Sequence, residues 1–238
     1  MKTFFKKIIK SLPIDFTQNQ KYDRLTQQVI AKVCKPESNC VDVGCHKGEV
    51  MDHILEAAPN GTHFGFEPIP DLYQGLIELY KDKDVKVYDV ALSDSIGSTT
   101  FNYVISNPSY SGLQKRNYDR PQEEDTTIEV RMDKLDHIVQ DTPIDLIKID
   151  VEGGELGVLK GATNILKRDQ PVVVFEHGLG ASDIYGTYPK QIFELFDSCG
   201  MKVSLMDRWI KGQEPLDLPA FEEQFYKKIN YYFIAYSG

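Results

Sequence analysis

The chain is poor in cysteine and has no Cys-x-x-Cys pair. Cys34, Cys40, Cys45 and Cys199 are scattered, and no Cys/His spacing matches a zinc site. They read as the reduced thiols of a cytoplasmic protein, with Cys45 a small residue filling tight space. No run is long and apolar enough to span a bilayer. A basic surplus is also missing: 27 Lys and Arg stand against 36 Asp and Glu, a formal net charge of -9. That balance argues against a sequence-independent nucleic-acid binder, whose footprint is a basic face. There is no internal repeat and no low-complexity tract. With 238 residues, 41% of them hydrophobic, the chain can bury a large core without disulfides or a structural metal.

The first twelve residues place Phe4, Phe5, Ile8, Ile9 and Leu12 on one helical stripe and four lysines on the other face. They lack the continuous apolar core of a secretion signal. A first helix packed on the domain is the preferred reading; a basic helix resting on an anionic membrane surface is the alternative. Helical spacing continues over 17–33 and stops before Pro36. Residues 1–37 thus form an N-terminal helical extension, and 38–238 the main domain.

Within that domain short apolar strands alternate with amphipathic helices. Strands are expected at Cys40–Gly44, Thr62–Glu67, Val85–Val90, Ile144–Asp150, Pro171–His177, Lys202–Met206 and Tyr231–Tyr236. Helices are expected around Val50–Ala58, Leu72–Tyr80, Leu156–Leu166 and Ile192–Phe196. This alternation predicts a doubly wound, mostly parallel α/β sheet. Ligands of such sheets sit beyond the strand carboxyl ends, where strand order reverses. One stretch breaks the rhythm. Ser98–Val104 and Thr126–Arg131 read as a paired edge ribbon, and 105–125 between them as a lid or substrate loop.

The strand ends carry the chemistry. Val41-Asp42-Val43-Gly44-Cys45-His46-Lys47-Gly48 is an apolar strand turning through two glycines into a helix. Its free N–H groups suit an anionic ligand group. Glu67 closes the next strand about twenty residues on, where a carboxylate receives ribose hydroxyls. Asp89 ends the third strand, placed to accept from an adenine amino group. Asp150 ends the fourth and is followed by Glu152-Gly153-Gly154-Glu155. A dinucleotide site prefers a middle glycine that this turn lacks. Asp42 repels phosphate and welcomes a cation. Ribose, adenine, ammonium and sulfonium together describe S-adenosylmethionine.

These residues carry a resemblance. Val41–Gly48, Phe64–Glu67, Val90–Asp94, Ile144–Glu155 and Leu159–Ala162 resemble the FkbM family of S-adenosylmethionine-dependent methyltransferases over roughly residues 38–205. Lys148-Ile149-Asp150-Val151-Glu152-Gly153 is the most specific part. The resemblance implies a class I, Rossmann-like methyltransferase fold ending in an antiparallel strand pair. It implies O-methylation of a saccharide, glycolipid or natural-product hydroxyl. It also implies cofactor contacts at Asp42, Gly44, His46, Gly48, Glu67, Asp89, Ala91 and Asp150. His46 stands where such proteins often have Asn, and residues 1–37 and 207–229 lie outside the match.

A hydroxyl acceptor must lose its proton as the new bond forms. His177, beside Glu176 at the fifth strand end, is the expected general base. Asp150 and Glu152 are alternative bases or sugar-holding groups. Asp150, Glu152, Glu176 and His177 also form a set that a magnesium ion could use, although metal-independent transfer is preferred. His53, His63 and His137 read as structural or surface residues. Trp209, near Arg208, Tyr185 and Tyr188, is a weaker candidate for a sugar platform. Two other function classes compete: a nicotinamide-dependent oxidoreductase and a non-catalytic nucleoside-binding module.

Overall fold

The computed structural model describes residues 17–116, 118 and 122–238. The expected helix and membrane contact of residues 1–12 lie outside the described residues. α1 (Gln18–Val33) is entered through a capping box, in which Thr17 and Gln20 satisfy each other's backbone N–H groups. Its apolar stripe of Leu25, Val29 and Ile30 is buried. Among the described residues no helix is long and apolar enough to cross a membrane.

The helices after α1 are α2 (Glu49–Ala57), α3 (Pro70–Tyr80), α4 (Leu135–Val139), α5 (Glu155–Gly161), α6 (Thr163–Asp169), α7 (Pro189–Ser198), α8 (Met206–Ile210) and α9 (Leu218–Tyr226). The strands are β1 (Cys40–Val43), β2 (His63–Phe66), β3 (Val85–Tyr88), β4 (Val90–Leu92), β5 (Gly97–Val104), β6 (Asp125–Asp133), β7 (Leu146–Ile149), β8 (Val172–Glu176), β9 (Met201–Ser204) and β10 (Tyr232–Ser237). Seven of them form one sheet in the order β3-β2-β1-β7-β8-β10-β9. β1, β2, β3, β7 and β8 run parallel, while β10 is antiparallel to both β8 and β9. The chain winds outward from β1 on one side and from β7 on the other. The β1/β7 junction is therefore the reversal point, and Gly44 and Asp150 follow its two strands.

Both faces of the sheet are covered. On one face Val41, Val43, Ile147, Ile149, Val173 and Phe175 meet Leu135, Leu159, Ile165, Phe196 and Phe221. On the other, Leu146, Val174 and Ile234 meet Tyr22, Val29, Met51, Leu76 and Met206. Burial on both sides is why these strands read as unbroken apolar runs. The alternation also fixes where the polar exceptions fall. Asp42 is paired in register with Lys148, and Glu176 with Tyr232. All four lie on the face that α1 covers.

Two sequence expectations need correcting. Val85–Val90 is not one strand: β3 stops at Tyr88, and Val90 starts β4, which pairs parallel with β6 in a separate three-stranded sheet. Asp89 is the hinge between the two sheets. Leu156–Leu166 is likewise two helices, broken at Ala162. The edge ribbon of β5 and β6 is present, in antiparallel register from Gly97↔Met132 to Val104↔Asp125.

Candidate active site

A cavity of about 580 Å³ lies at the carboxyl ends of β1, β2 and β7, a size suited to a nucleoside-sized ligand with room for an acceptor. Its floor is the turn after β1. Gly44 takes φ 79°, and its N–H and that of Cys45 both donate to Phe66 O at 3.0 Å. A Cβ on Gly44 would land on the carbonyl oxygen of Asp150, so glycine is needed here both for its φ and for the close approach of β7. Gly48 (φ 84°) begins α2, and a Cβ there would collide with the Tyr80 hydroxyl, which donates to Gly48 O at 2.9 Å. His46 also adopts a left-handed backbone, φ 50°. Burial, then Lys47, pushes its pKa down, which keeps the imidazole neutral.

Glu67 is buried at the cavity wall. Its Oε2 accepts from His46 N–H and its Oε1 from Ile69 N–H, each at 2.9 Å. Burial raises its pKa to about 7 against these two N–H groups, which favour the anion. The carboxylate is thus aimed by the backbone and keeps acceptor capacity for a ligand. Beside it Ile69, Ala91, Phe101 and Leu113 form an apolar wall.

Asp42 lines the cavity almost without solvent contact, and its Oδ2 has no partner. Burial raises its pKa to about 6, opposed by the charge of Lys148. An unpaired buried carboxylate oxygen is costly, and a ligand ammonium or hydroxyl would satisfy it.

At the β7 end, Asp150 Oδ2 accepts from the Tyr232 hydroxyl and from Lys148 Nζ at 3.2 Å. Burial raises the Asp150 pKa, but Lys148 and Tyr232 outweigh that and hold the carboxyl below its usual range. Glu176 is pushed the other way, well above the usual range, by burial and by the Asp150 charge. It is therefore protonated and bonded to Asp150. Glu152 lines the cavity with φ 55° and pairs with Arg116, whose guanidinium lies 4.6 Å over the Tyr110 ring. Burial and the Asp150 charge raise its pKa to about 8. Glu155 is not in the cleft chemistry. Its Oε1 accepts from Val151 and Gly153 N–H and braces the turn that presents Glu152.

The structure thus brings Asp42, Gly44, His46, Glu67, Ala91, Asp150 and Glu152 to one cavity. It does not bring His177, Asp89 or Gly48 there; Gly48 caps α2 and packs against the Tyr80 hydroxyl. His177 is wholly buried, stacked on Phe225 at 4.6 Å and tilted against Phe221 at 5.7 Å, with Nδ1 3.1 Å from Ser182 Oγ. Burial lowers its pKa to about 3. It follows Glu176 and so takes the opposite face of β8, under α9. It cannot reach an acceptor. Asp89 points to solvent and pairs with Arg131 at 2.9 Å, so it is not the adenine contact. Trp209 packs on Tyr236 at 6.1 Å under Lys32, on α8, and is no sugar platform. Of the magnesium set, oxygens of Asp150, Glu152 and Glu176 lie within 4.8 Å of one another, and His177 is excluded. Residues given no site role from sequence complete the cavity: Tyr22, Asp23 and Thr26 of α1, Lys148 and Tyr232. Pro108, Ser109, Ser111 and Leu113 supply a further wall from the irregular segment.

The burial of His177 has a measurable consequence. Its pKa is depressed from 6.5 to about 3 in the folded protein. Between those values the unfolded chain binds a proton that the folded one does not. Stability from this residue is complete above pH 6.5 and falls on acidification by about 1.4 kcal/mol per pH unit. His177→Phe is expected to keep methyl transfer near wild type and to remove that slope. Urea unfolding between pH 6.5 and 4 checks it; a variant folded but inactive would restore His177 to the chemistry.

A parallel sheet with an antiparallel final pair, whose reversal-point cleft is floored by a glycine turn and walled by strand-end acids, is the class I, Rossmann-like methyltransferase fold. Sequence comparison places the chain more closely. The methyltransferase FkbM domain model matches residues 42–203. The chain belongs to that family. It is 26% identical over 164 residues to the 2-O-methyltransferase NoeI of Sinorhizobium fredii, covering 61% of this chain and 65% of that protein. It is 26% identical over 166 residues to the AMB antimetabolite synthetase AmbE of Pseudomonas aeruginosa, covering 54% of this chain and 8% of that one. It therefore spans less than two thirds of either of these relatives. Among solved structures, methyltransferase FkbM from Methylobacillus flagellatus KT superposes with a TM-score of 0.53 at 15% identity, over 85% of this chain and 44% of that one.

Proposed function

We propose that the protein is an O-methyltransferase whose acceptor is an uncharged or amine-bearing hydroxyl compound of the saccharide type, and that Glu152 takes the acceptor proton. The observation that carries this reading is the single cleft in which Glu67, Asp42, Gly44 and Glu152 meet. The 2-O-methyltransferase name of one relative supports an oxygen acceptor.

S-adenosylmethionine supplies an electrophilic methyl carbon and a neutral leaving group, so the protein's work is alignment and proton removal. Glu67 would receive ribose hydroxyls on the carboxylate that His46 and Ile69 N–H groups aim. Ile69, Ala91, Phe101 and Leu113 would hold the purine. The free Oδ2 of Asp42 and the carboxylate of Asp150 would complement the positive charge. Asp150 is a poor base because Lys148 and Tyr232 stabilise its anion. Glu152, with a pKa near 8, is a far stronger base than an ordinary carboxylate and is held at the cavity wall.

Magnesium is not required in this reading. The three-carboxylate set already has Lys148 and Tyr232 on Asp150 and Arg116 on Glu152. A divalent ion would have to compete with these two cations and the tyrosine hydroxyl for the same oxygens.

Charge also selects the acceptor. Asp23, Glu49, Asp52 and Glu56 line the cavity alongside Lys47 and Lys148, and the Lys148 charge is already met by Asp150. A phosphate or carboxylate on the acceptor meets like charge, and each 1.4 kcal/mol of that repulsion is about a tenfold loss in kcat/KM. Labelled-methyl transfer to a panel of glycosides tests the reading, each run with and without EDTA. Neutral and amino sugars should take label, while their phosphorylated or uronate counterparts should fall roughly tenfold or more; EDTA should change neither. Preference for the anionic sugars, or loss of activity restored by magnesium, would contradict it.

A further inference from the structure

Outside the cleft, the described chain places two thiols side by side. Cys34 follows the last turn of α1, and its N–H donates to Ile30 O at 2.8 Å. Cys40 opens β1, six residues on. Their Sγ atoms are 3.6 Å apart, in van der Waals contact. Cys34 is half-buried, whereas Cys40 is fully buried. One thiol of the pair is thus open to a small reagent, and the other waits behind it. The other two cysteines have no such arrangement: Cys45 is buried in the glycine turn, and Cys199 is buried at the end of α7.

We propose that Cys34 and Cys40 are a redox-modification site, in which a peroxide converts the contacting thiols into a disulfide that fastens α1 to β1. Cys34 sulfur attacks one peroxide oxygen. The O–O bond breaks, sulfur is oxidised to sulfenic acid, and the peroxide is reduced to water. Cys40 sulfur then attacks the sulfenic sulfur; the S–S bond forms, the S–O bond breaks, and water leaves with the Cys40 proton. The net change is two thiols plus hydrogen peroxide to one disulfide and two waters. The contact itself favours this order. The Cys40 thiol beside it lowers the Cys34 pKa, while Cys34 and burial raise that of Cys40. Access gives the same order, since Cys34 alone of the pair is open to a small reagent.

The fastening bears on the cleft. α1 supplies Tyr22, Asp23 and Thr26 to the cavity wall, and β1 supplies Asp42 and leads into Gly44. Tyr22 stands 4.9 Å from Tyr232, ring to ring. A bond from the end of α1 to the start of β1 holds this wall against the sheet while leaving every cleft residue unaltered.

The test uses the full chain, reduced and then freed of reductant, with hydrogen peroxide as the probe. Intact mass should fall by two hydrogens, and peptide mapping should join Cys34 to Cys40 before Cys45 or Cys199 reacts. The disulfide should raise Tm by roughly 5 °C, reversibly with dithiothreitol. In C40S, Cys34 should stop as a sulfenic acid trapped by dimedone; in C34S the fast reaction should vanish. Equal oxidation rates at all four cysteines, or cross-linking between molecules instead of within one, would overturn the site. A formed disulfide with unchanged Tm would overturn the fastening. Because the mass and mapping readouts use the wild-type chain, they stand even if C40S folds poorly.

Discussion

Glu152→Gln is expected to lower kcat by two to four orders of magnitude while changing the affinity for S-adenosylmethionine little. The range is what a positioned general base contributes. The glutamine side chain would keep the size of the native one on the same left-handed turn, and its amide oxygen could still accept from Arg116. What it loses is the ability to take a proton. The base must be deprotonated to act, so wild-type kcat should rise with pH through about 8, the value to which burial and the Asp150 charge push Glu152. Residual activity of the variant should lose that rise. Single-turnover rates across pH 6–9 separate this from a structural defect, which would lower kcat without removing the profile. Asp150→Asn should act differently. It removes the partner of Lys148 and Tyr232, so buried charge is left uncompensated and stability falls with activity.

Gly44→Ala is the second large effect. The added Cβ must displace the Asp150 carbonyl at the point where β1 and β7 run together, and alanine must also take φ 79°. The left-handed conformation costs about 1–2 kcal/mol and the overpacking about as much again. A stability loss of about 3 kcal/mol is expected, a fall in Tm of roughly 10 °C, with S-adenosylmethionine binding lost because the turn moves. Gly75→Ala is the control. Gly75 lies inside α3, where an added Cβ meets nothing within 4 Å, so that change should stabilise by about 1 kcal/mol. Differential scanning calorimetry of both variants decides it; a Gly44→Ala protein that melts and binds like wild type would show that the close approach is not a constraint.

How far the sequence carried is clearest at the strand ends. Gly44, Glu67 and Asp150 were legible because parallel strands announce themselves as apolar runs, and the residue after each run must face the ligand end of the sheet. What the pattern does not reveal is parity. His177 and Glu176 are neighbours at the same strand end, yet one points under α9 and the other toward Asp150. Only the face that α1 covers carries the polar row of Asp42, Lys148, Asp150, Glu176 and Tyr232. The proposal of Glu152 over His177 as base therefore rests on which face holds the cleft. Asp89 failed for another reason. A continuous run from Val85 to Val90 hid the step at which the chain leaves one sheet for another. Tyr232 lay some eighty residues from Asp150 in sequence, and only the antiparallel pairing of β10 with β8 unites them. The Cys34–Cys40 contact was equally silent, since their spacing matches no redox or metal motif.

The central claim is that this cleft holds S-adenosylmethionine by its ribose on Glu67. Isothermal calorimetry with S-adenosylmethionine on the wild-type chain and on Glu67→Gln, repeated from pH 5.5 to 8, tests it most directly. The wild type should bind one equivalent, with affinity falling as pH drops through about 7 and Glu67 takes up a proton. Glu67→Gln should bind roughly ten- to a hundredfold more weakly at pH 8, the worth of hydrogen bonds to a charged acceptor, and should lose the step near pH 7 while keeping the fall near pH 6 that Asp42 supplies. No uptake by the wild type, or equal affinity and the same pH profile in the variant, would contradict the account.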